Sequence, residues 1–460
     1  MNYEDTNQLK EQYLKDLSDQ KTNLGKALKR QNIEVTDTES LEDMVNKIKD
    51  IEGTPTLPYY CFAYCESNEI RNMLKDINFA ATKNFSGMFL NWSNVNLTSM
   101  NTMSGESFSN FIVGTTSNSA TLTVTFGENN DFTKAKNMDK WLAGNNGSYG
   151  TSLYIDHTKL KEQVIEGPVS LNSFLYAVDL HDNYNKLPVI APNVLSFLDK
   201  LKFKNVTSLN GFGLQLQIPG SNADSYKIST EVYQEVFPNL LRNIETKYIT
   251  SADQLFDYGT LDYLKFTPDY VKEWDELLKI YKWFNYYTHV RVIDLSKWTF
   301  KKVTQWYDIA MWGEYLEEVR MGTNPNPTLT KIEDCFGWGM THTADFSGWN
   351  FGGVNYLSRN FYNNTSSMQN LYWGYDFGKA FTEKTSNLQR YSLDFSAMSK
   401  LTHDSAVQII SCLYDLRKAY ADNLGITGYY SQLVDFSATT IGLLTPEEIA
   451  VGTAKGWSIR

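Results

Sequence analysis

A five-residue phrase recurs in the second half of the chain, at Asp294–Trp298 (DLSKW), Asp345–Trp349 (DFSGW), Asp394–Met398 (DFSAM) and Asp435–Thr439 (DFSAT). Every copy begins with Asp, an apolar residue and Ser, and successive copies start at nearly even intervals along the chain. Because this spacing is nearly constant, we interpret the phrases as parts of a structural repeat.

Two further apolar segments divide the intervals between these phrases. Leu316–Gly322 lies about midway between the first and second copies, and Leu371–Gly374 lies about midway between the second and third. The underlying period is therefore about 25 residues, within the range of leucine-rich repeats. The sequence predicts an α/β repeat fold, a leucine-rich-repeat-like solenoid with short parallel strands in which each turn covers the apolar face of its neighbour.

The repeat pattern also sets the predicted domain boundaries. Looser echoes of the repeat precede the regular phrases, at 85–103, 121–142 and 205–220. The predicted divisions are a helical module at 1–53, a linker at 54–60, a degenerate repeat region at 61–290, a regular repeat region at 291–400 and a C-terminal cap at 401–460.

The N-terminal module has one narrow apolar stripe, formed by Leu9, Tyr13, Leu17, Leu24 and Leu28 at helical spacing. Its other positions are mostly charged or polar, so the stripe must be buried against another helix or against copies of itself. A second apolar stripe follows, and Gly53 ends that helix: Leu41, Met44, Val45, Ile48, Ile51. The sequence therefore predicts either an intramolecular helical hairpin or a coiled-coil oligomer, and it leaves this choice open.

The C-terminal segment contains a helix-start signal. Thr445 followed by Pro446 and Glu448 predicts a capping box with proline at the first helical position. Gly456 is expected to end this helix, and Trp457 to fold back over the last repeat.

Charge and hydropathy exclude several classes of protein. The net charge of -11 argues against binding to a nucleic-acid backbone, which requires clustered Lys and Arg. No run of about 18 apolar residues could span a bilayer, so membrane insertion is not expected. The sequence at the start lacks the basic segment and apolar core of a signal peptide, which predicts a protein that is made in the cytosol and not exported by the usual route.

Catalytic motifs are missing from the sequence. There is no phosphate-binding loop, nucleophile elbow, dinucleotide fingerprint or zinc-binding HExxH, and the five histidines are scattered. The repeated Asp is expected to bond backbone amides at its own turn, because a residue needed at every turn usually serves the turn. We predict no catalytic residue, cofactor or metal site, and therefore no enzyme.

The aromatic cluster YKWFNYY at 281–287 is the best candidate for a recognition surface, since Tyr and Trp are enriched at interfaces. Trp298 and Trp349 follow the repeat phase and are predicted to lie in the core. Tyr286 and Tyr287 do not follow it, so they are the residues predicted to be exposed and to contact a partner.

Two resemblances to known proteins suggest a function. Residues 14–53, LKDLSDQKTNLGKALKRQNIEVTDTESLEDMVNKIKDIEG, resemble a short helical module of bacteriophage tail, baseplate and fibre proteins, although Asn32 stands where Gly is commoner. The repeated phrases resemble the BspA-like leucine-rich-repeat family, and residues 401–460 are similar to the C-terminal cap common in that family and in its phage relatives.

These resemblances imply a bacteriophage virion protein, a fibre, tail or baseplate component assembled in the host cytoplasm. Its implied partners are other virion proteins bound through the N-terminal module, and a host surface protein or glycan bound by the repeats. A homo-oligomer is expected. Two alternatives remain: a BspA-like adhesin on the bacterial surface, which would need an export signal, and a glycan-active enzyme, which would need a close carboxylate pair.

Overall fold

The structure of the protein is a computed structural model. It describes residues 18, 21–22, 24–26, 28–29, 34–36, 38–40, 43–44, 47, 62–115, 121–144, 151–179, 190–216, 230–257, 265–285, 290–310, 315–335, 341–358, 367–382, 392–417 and 432–460. The chain divides into two compact units: the first is Met1–Val206 with Gln215–Gln217, and the second is Thr207–Leu214 with Ile218–Arg460.

The first unit contains short strands and few helices. Its helices are α1 (Asn68–Met73), a 3-10 turn (Leu74–Asp76) and α2 (Ile190–Leu198). Its strands are β1 (Phe89–Leu90), β2 (Asn94–Asn96), β3 (Ile112–Val113), β4 (Thr121–Thr125), β5 (Leu142–Ala143), β6 (Thr151–Asp156), β7 (Gln163–Ile165), β8 (Val169–Ser170), β9 (Val178–Asp179) and β10 (Leu201–Phe203); β11 (Val206–Ser208) lies where the units divide.

Parallel pairing joins the strands of the first unit into small sheets, in the orders β1-β3-β5, β2-β4-β6-β9 and β10-β7. Strand β4, TLTVT, shows why such strands form: Leu122 and Val124 are buried while the β-branched threonines between them face outward. The offset between paired positions varies, since Phe89 pairs with Ile112 whereas Gln163 pairs with the much more distant Leu201.

The second unit also contains short strands and few helices. Its helices are α3 (Thr230–Asn239), a 3-10 turn (Lys379–Thr382), α4 (His403–Cys412), α5 (Ala438–Ile441) and α6 (Pro446–Ala454). Its strands are β12 (Lys265–Phe266), β13 (Lys272–Trp274), β14 (Lys279–Tyr281), β15 (Val292–Asp294), β16 (Trp298–Phe300), β17 (Gln305–Tyr307), β18 (Glu318–Arg320), β19 (Lys331–Glu333), β20 (Thr343–Asp345), β21 (Tyr356–Ser358), β22 (Asn370–Tyr372), β23 (Ser392–Phe395), β24 (Gln432–Phe436) and β25 (Trp457–Ile459).

Two parallel sheets of the second unit, β12-β15-β18-β20-β22 and β14-β17-β19-β21, have a nearly constant offset. In the first of them, positions 265, 292, 318, 343 and 370 are successive partners. These positions confirm the predicted short parallel strands and their period of about 25 residues, typical of leucine-rich repeats. Strand β12 (Lys265–Phe266) also takes part in this regular pairing. The predicted start of the regular region, 291, lies later in the chain because that prediction relied on the Asp-apolar-Ser phrase, which β12 lacks.

The core of the second unit is aromatic. Trp298 and Trp349 are fully buried, as predicted from their phase in the repeat. The ring of Trp306 lies edge-on to Trp349, with 4.6 Å between ring centroids, and also contacts Phe346 and Phe351. Rings that are two turns apart in the repeat therefore interlock, which buries large apolar area along the repeat.

The C-terminal cap ends this arrangement. The capping box of Thr445 and Glu448 with Pro446 at the helix start is present, as predicted. Trp457 is buried, contacts the Phe377 ring and donates from Nε1 to a main-chain carbonyl. Strands β24 and β25 of the cap extend a parallel sheet that begins with β23, in the order β23-β24-β25.

The helix α4 covers the edge of β22 through its side chains. Ser405 Oγ accepts from the backbone N–H of Leu371 at 2.9 Å, and Gln408 Oε1 accepts from that of Trp373 at 2.7 Å. Gln408 Nε2 in turn donates to the Trp373 carbonyl. The amide of Gln408 thus takes the hydrogen bonds that a further strand would make, which protects an otherwise open sheet edge.

The N-terminal stripe is described only in part. Leu24 and Leu28 are helical and buried within a single chain. A Cβ built on Gly25 would lie 3.6 Å from Met44 Cε and 3.8 Å from Val35 Cγ1, so these residues lie close together. The remaining stripe residues and the predicted linker fall outside the described residues: Leu9, Tyr13, Leu17, 54–60.

Candidate recognition surface

The outer face of the sheet β14-β17-β19-β21 presents two rows of polar and aromatic side chains. In the first three strands, KIY, QWY and KIE, the central residue is buried and its neighbours point outward. This alternation follows from the pleat of a strand, whose successive side chains face opposite sides. Parallel pairing in register then places equivalent outward residues beside one another on adjacent strands.

Five outward residues form a continuous strip, which we call the tyrosine–lysine ribbon: Lys279, Tyr281, Tyr307, Lys331, Tyr356. The rings of Tyr281 and Tyr307 are 5.3 Å apart between centroids. Lys279 Nζ lies 4.8 Å from the Tyr281 centroid, and Lys331 Nζ lies 5.7 Å from Tyr307 and 5.0 Å from Tyr356. These distances are those of cation–π contacts, so the lysines help to hold the rings in place.

Carboxylates compensate the charge of the ribbon lysines. Lys279 Nζ is 2.7 Å from Asp253 Oδ2, and Lys331 forms an ion pair with Glu333. The ribbon surface therefore carries hydrogen-bond donors and acceptors side by side, with little net charge.

Two pKa shifts define the protonation of the ribbon. The carboxylate of Asp308 raises the pKa of the Tyr307 phenol, and burial and Glu333 add to this effect. The hydrogen bond from Lys331 to Glu333 raises the pKa of Lys331. The phenol is thus a neutral hydrogen-bond donor at neutral pH and Lys331 is a cation.

The predicted contact residues have different outcomes. Tyr286 and Tyr287 lie outside the described residues, so their predicted exposure stays a prediction. Within the same cluster, Trp283 and Phe284 are buried, while Tyr281 points outward from β14. The cluster therefore contributes both to the core and to the surface.

The repeated Asp serves its own turn at three of the four phrases, as predicted. Asp294 Oδ1 accepts from the N–H of Ser296 at 2.9 Å, and Asp345 accepts from both the N–H and the hydroxyl of Ser347. Asp394 repeats this pair of bonds with Ser396.

At the fourth phrase the carboxylate is used differently. Asp435 lies 3.4 Å from Arg460, while Ser437 caps the helix α5 by accepting from the N–H of Thr440. The carboxylates of the phrases are thus engaged in local structure, which disfavours a catalytic role for them.

The ribbon itself was missed by sequence reasoning, although a signal exists. Positions 281 and 307 are both Tyr, each ends a short strand with a buried centre, and they are direct partners on neighbouring turns. The strands β14, β17, β19 and β21 recur with the repeat, as the Asp-apolar-Ser phrase does. An alignment of the sequence on these strands would have shown which of their side chains lie beside one another on the outer face.

Metal sites and membrane spans are missing from the part of the chain that the structure describes. This part contains no group of three or more His, Cys, Asp or Glu side chains arranged to hold a metal ion. None of its helices is both long enough and apolar enough to cross a membrane.

No protein-family model, curated protein or solved structure significantly matches this chain.

Proposed function

We propose that this chain is a non-enzymatic structural protein of a bacteriophage virion, a fibre, tail or baseplate component. In this proposal the strands form a leucine-rich-repeat-like solenoid that presents an ordered surface to a receptor on the host or to neighbouring subunits. The solenoid is built without a cofactor, and the tyrosine–lysine ribbon is the surface that makes the contact.

The observation that carries the proposal is the in-register pairing of parallel strands at a nearly constant offset, from Lys265 to Tyr372. A stack of equivalent turns suits a display role, because it sets outward side chains at fixed spacing over a long surface. Trp306 and Trp349, interlocked in the core, give that surface a rigid support.

The N-terminal module is proposed to attach the protein to other virion proteins. Burial of Leu24 and Leu28 within one chain supports an intramolecular hairpin for that end of the stripe. A homo-oligomer remains part of the proposal and is tested by light scattering of the full chain at several concentrations.

The virion role is tested by mass spectrometry of purified phage particles, compared with the cell-envelope and secreted fractions of the same culture. The proposal expects this chain in particles, at an abundance comparable to that of known structural proteins. Finding it only in the envelope fraction would reject the virion role and favour a BspA-like surface adhesin.

A further inference from the structure

We propose that the tyrosine–lysine ribbon binds a neutral, hydroxyl-rich glycan chain laid across the strands. This inference rests on the proposed recognition role and narrows the partner from a host protein or glycan to one chemical class. It uses the side chains on the outer face of β14, β17, β19 and β21.

Ring geometry is the first argument. Tyr281 and Tyr307 repeat at the spacing of neighbouring strands, with 5.3 Å between centroids. Tyr356 continues the strip and is 41% exposed. Tyrosine offers an apolar ring for the C–H faces of a sugar and a hydroxyl for its polar edge. A chain of sugar rings laid across the strands can therefore contact Tyr281 and Tyr307 on neighbouring strands and Tyr356, in the row of Lys331, two strands further on.

Charge is the second argument. An anionic polymer is held mainly by uncompensated cations. In the ribbon, Lys279 lies 2.7 Å from Asp253 and Lys331 is paired with Glu333. These pairs leave a surface of alternating donors and acceptors, to which Tyr307 adds a protonated phenol. A neutral ligand that both donates and accepts hydrogen bonds fits this surface better than an acidic one.

The ribbon also differs from a typical protein-binding patch. Protein interfaces gather their binding energy in a desolvated core of large side chains surrounded by a polar rim. Here the large apolar groups Ile280, Trp306 and Ile332 face inward and are buried. Each of the five ribbon side chains carries a hydroxyl or an ammonium group, so a ligand that makes hydrogen bonds along its whole length suits this surface.

The test uses the full chain on an array of neutral and acidic microbial glycans, followed by calorimetry with the best-bound soluble oligosaccharide. The variants are Tyr356→Ala, which removes an exposed ring of the ribbon, and the double variant Tyr281→Ala/Tyr307→Ala. The matched control is Tyr248→Ala, which removes a 43% exposed tyrosine elsewhere in the same unit. Thermal unfolding and circular dichroism establish that each variant is folded.

We expect neutral glycans to bind, with affinity at least about tenfold lower in the ribbon variants and unchanged in the control; tenfold corresponds to about 1.4 kcal/mol. The proposal is overturned if no neutral glycan binds, if only acidic glycans bind, or if folded ribbon variants bind as well as the wild type. Capture of a host protein through the ribbon, without glycan binding, would also overturn it.

The two proposals fail separately. A chain that is abundant in particles but binds no neutral glycan rejects the glycan inference and leaves the virion role intact. A chain that binds a neutral glycan through the ribbon but is missing from particles rejects the virion role and leaves the glycan inference intact.

Discussion

Two regions of the molecule both pair short parallel strands, but they differ in how regular that pairing is. In the regular region, 265–372 of the second unit, the offset between paired positions hardly changes from one turn to the next. In the irregular region, 84–179 of the first unit, Asn84, Ser107, Asn137 and Ser170 are successive bridge partners, and the offset grows at each step.

In the regular region, backbone hydrogen bonds link one turn to the next. The residue after each of the strands β15, β18 and β20 donates to the following turn in the same manner: Leu295 to Arg320 at 2.8 Å, Met321 to Asp345 at 3.0 Å, Phe346 to Tyr372 at 2.8 Å. Because each turn has nearly the same length, one backbone bond can repeat from turn to turn. The hydroxyls of Thr328 and Thr330 add bonds to the carbonyls of Val303 and Thr304.

The irregular region makes the same backbone bond, from Leu97 to Thr125 and from Phe126 to Asp156, both at 2.8 Å. It adds side-chain amides, of which Asn130 is buried. Asn130 accepts from the N–H of Gly127 and donates to the carbonyls of Leu97 and Met100. Asn193 pairs in the same two-way fashion with the N–H and carbonyl of Ile155. Turns of unequal length leave backbone groups without a main-chain partner, and an amide can supply both a donor and an acceptor. In the irregular region, side-chain amides thus supplement the backbone bonds between turns.

The largest expected effect is loss of an interlocking ring from the regular region. Trp306→Ala removes a buried indole that contacts Phe346, Trp349 and Phe351. We expect the free energy of unfolding to fall by about 3–5 kcal/mol, measured by denaturant titration, because the cavity cannot be refilled without moving neighbouring turns. A loss below about 1 kcal/mol would mean that the rings do not support the repeat.

The second-largest expected effect is the loss of the buried Asn130 amide from the irregular region. Asn130→Ala removes the partner of the Met100 carbonyl and the Gly127 N–H, whereas the Leu97 carbonyl still accepts from the N–H of Met100. We expect a loss of about 2–3 kcal/mol. Asn78→Ala is the control, because Asn78 accepts from Ala80 in an exposed turn. Equal losses for both variants in thermal unfolding would show that the buried amide of Asn130 does not stabilise the irregular region.

Close approach between turns predicts a smaller effect. A Cβ on Gly127 would lie 2.6 Å from the backbone Cα and carbonyl oxygen of Thr98. Gly127→Ala should therefore destabilise the first unit by about 1–3 kcal/mol, measured by thermal unfolding. Gly167→Ala is the matched control, because nothing lies within 4 Å of the added carbon. A neutral Gly127→Ala variant would contradict the described contact between the two turns.

The smallest effect lies in the helices that end the second unit. His403 Nε2 is 3.0 Å from Glu448, which joins α4 to α6, and its pKa is raised first by Glu448 and then by Asp404. A raised pKa in the folded state means that this stabilisation is present below the ordinary imidazole pKa of 6.5 and is lost as the pH rises through the raised value.

The melting temperature of the wild type is therefore expected to fall slightly as the pH rises above 6.5, relative to that of His403→Gln. Thermal unfolding of both proteins at several pH values measures this difference. An identical pH dependence in the two proteins would show that His403 does not contribute.

Sequence alone predicted the regular region well, because one phrase repeats there with little change. The positions of Asp294, Asp345 and the intervening strand at 318–320 follow directly from the period. The irregular region contains the same turn with Thr in place of Ser. Asp131 accepts from the N–H and hydroxyl of Thr133, and Asp156 accepts from those of Thr158. A search restricted to Asp-apolar-Ser could not find these turns.

The candidate site was less predictable. Exposure of an aromatic residue depends on which strand it occupies and on the face toward which the strand directs it. Tyr281 and Trp283 are close neighbours in one cluster, yet Tyr281 points outward from β14 and Trp283 is buried in the turn that follows. Only the register of β14 with β17 brings Tyr281 beside Tyr307. Composition and local pattern do not contain that information.

The most direct test of the pairing is a register scan by disulfide formation. In a background with Cys61, Cys65, Cys335 and Cys412 replaced by Ala, the pair Glu318→Cys/Thr343→Cys joins two residues that are direct partners on β18 and β20.

Mild oxidation should link this pair readily, since neighbouring strands lie about 4.8 Å apart and a disulfide spans Cα atoms about 4.4–6.8 Å apart. We predict no link for Glu318→Cys/Asp345→Cys, because Asp345 is the partner of Arg320 and lies out of register with Glu318. Efficient linking of the displaced pair, with none for the partnered pair, would contradict the in-register parallel repeat.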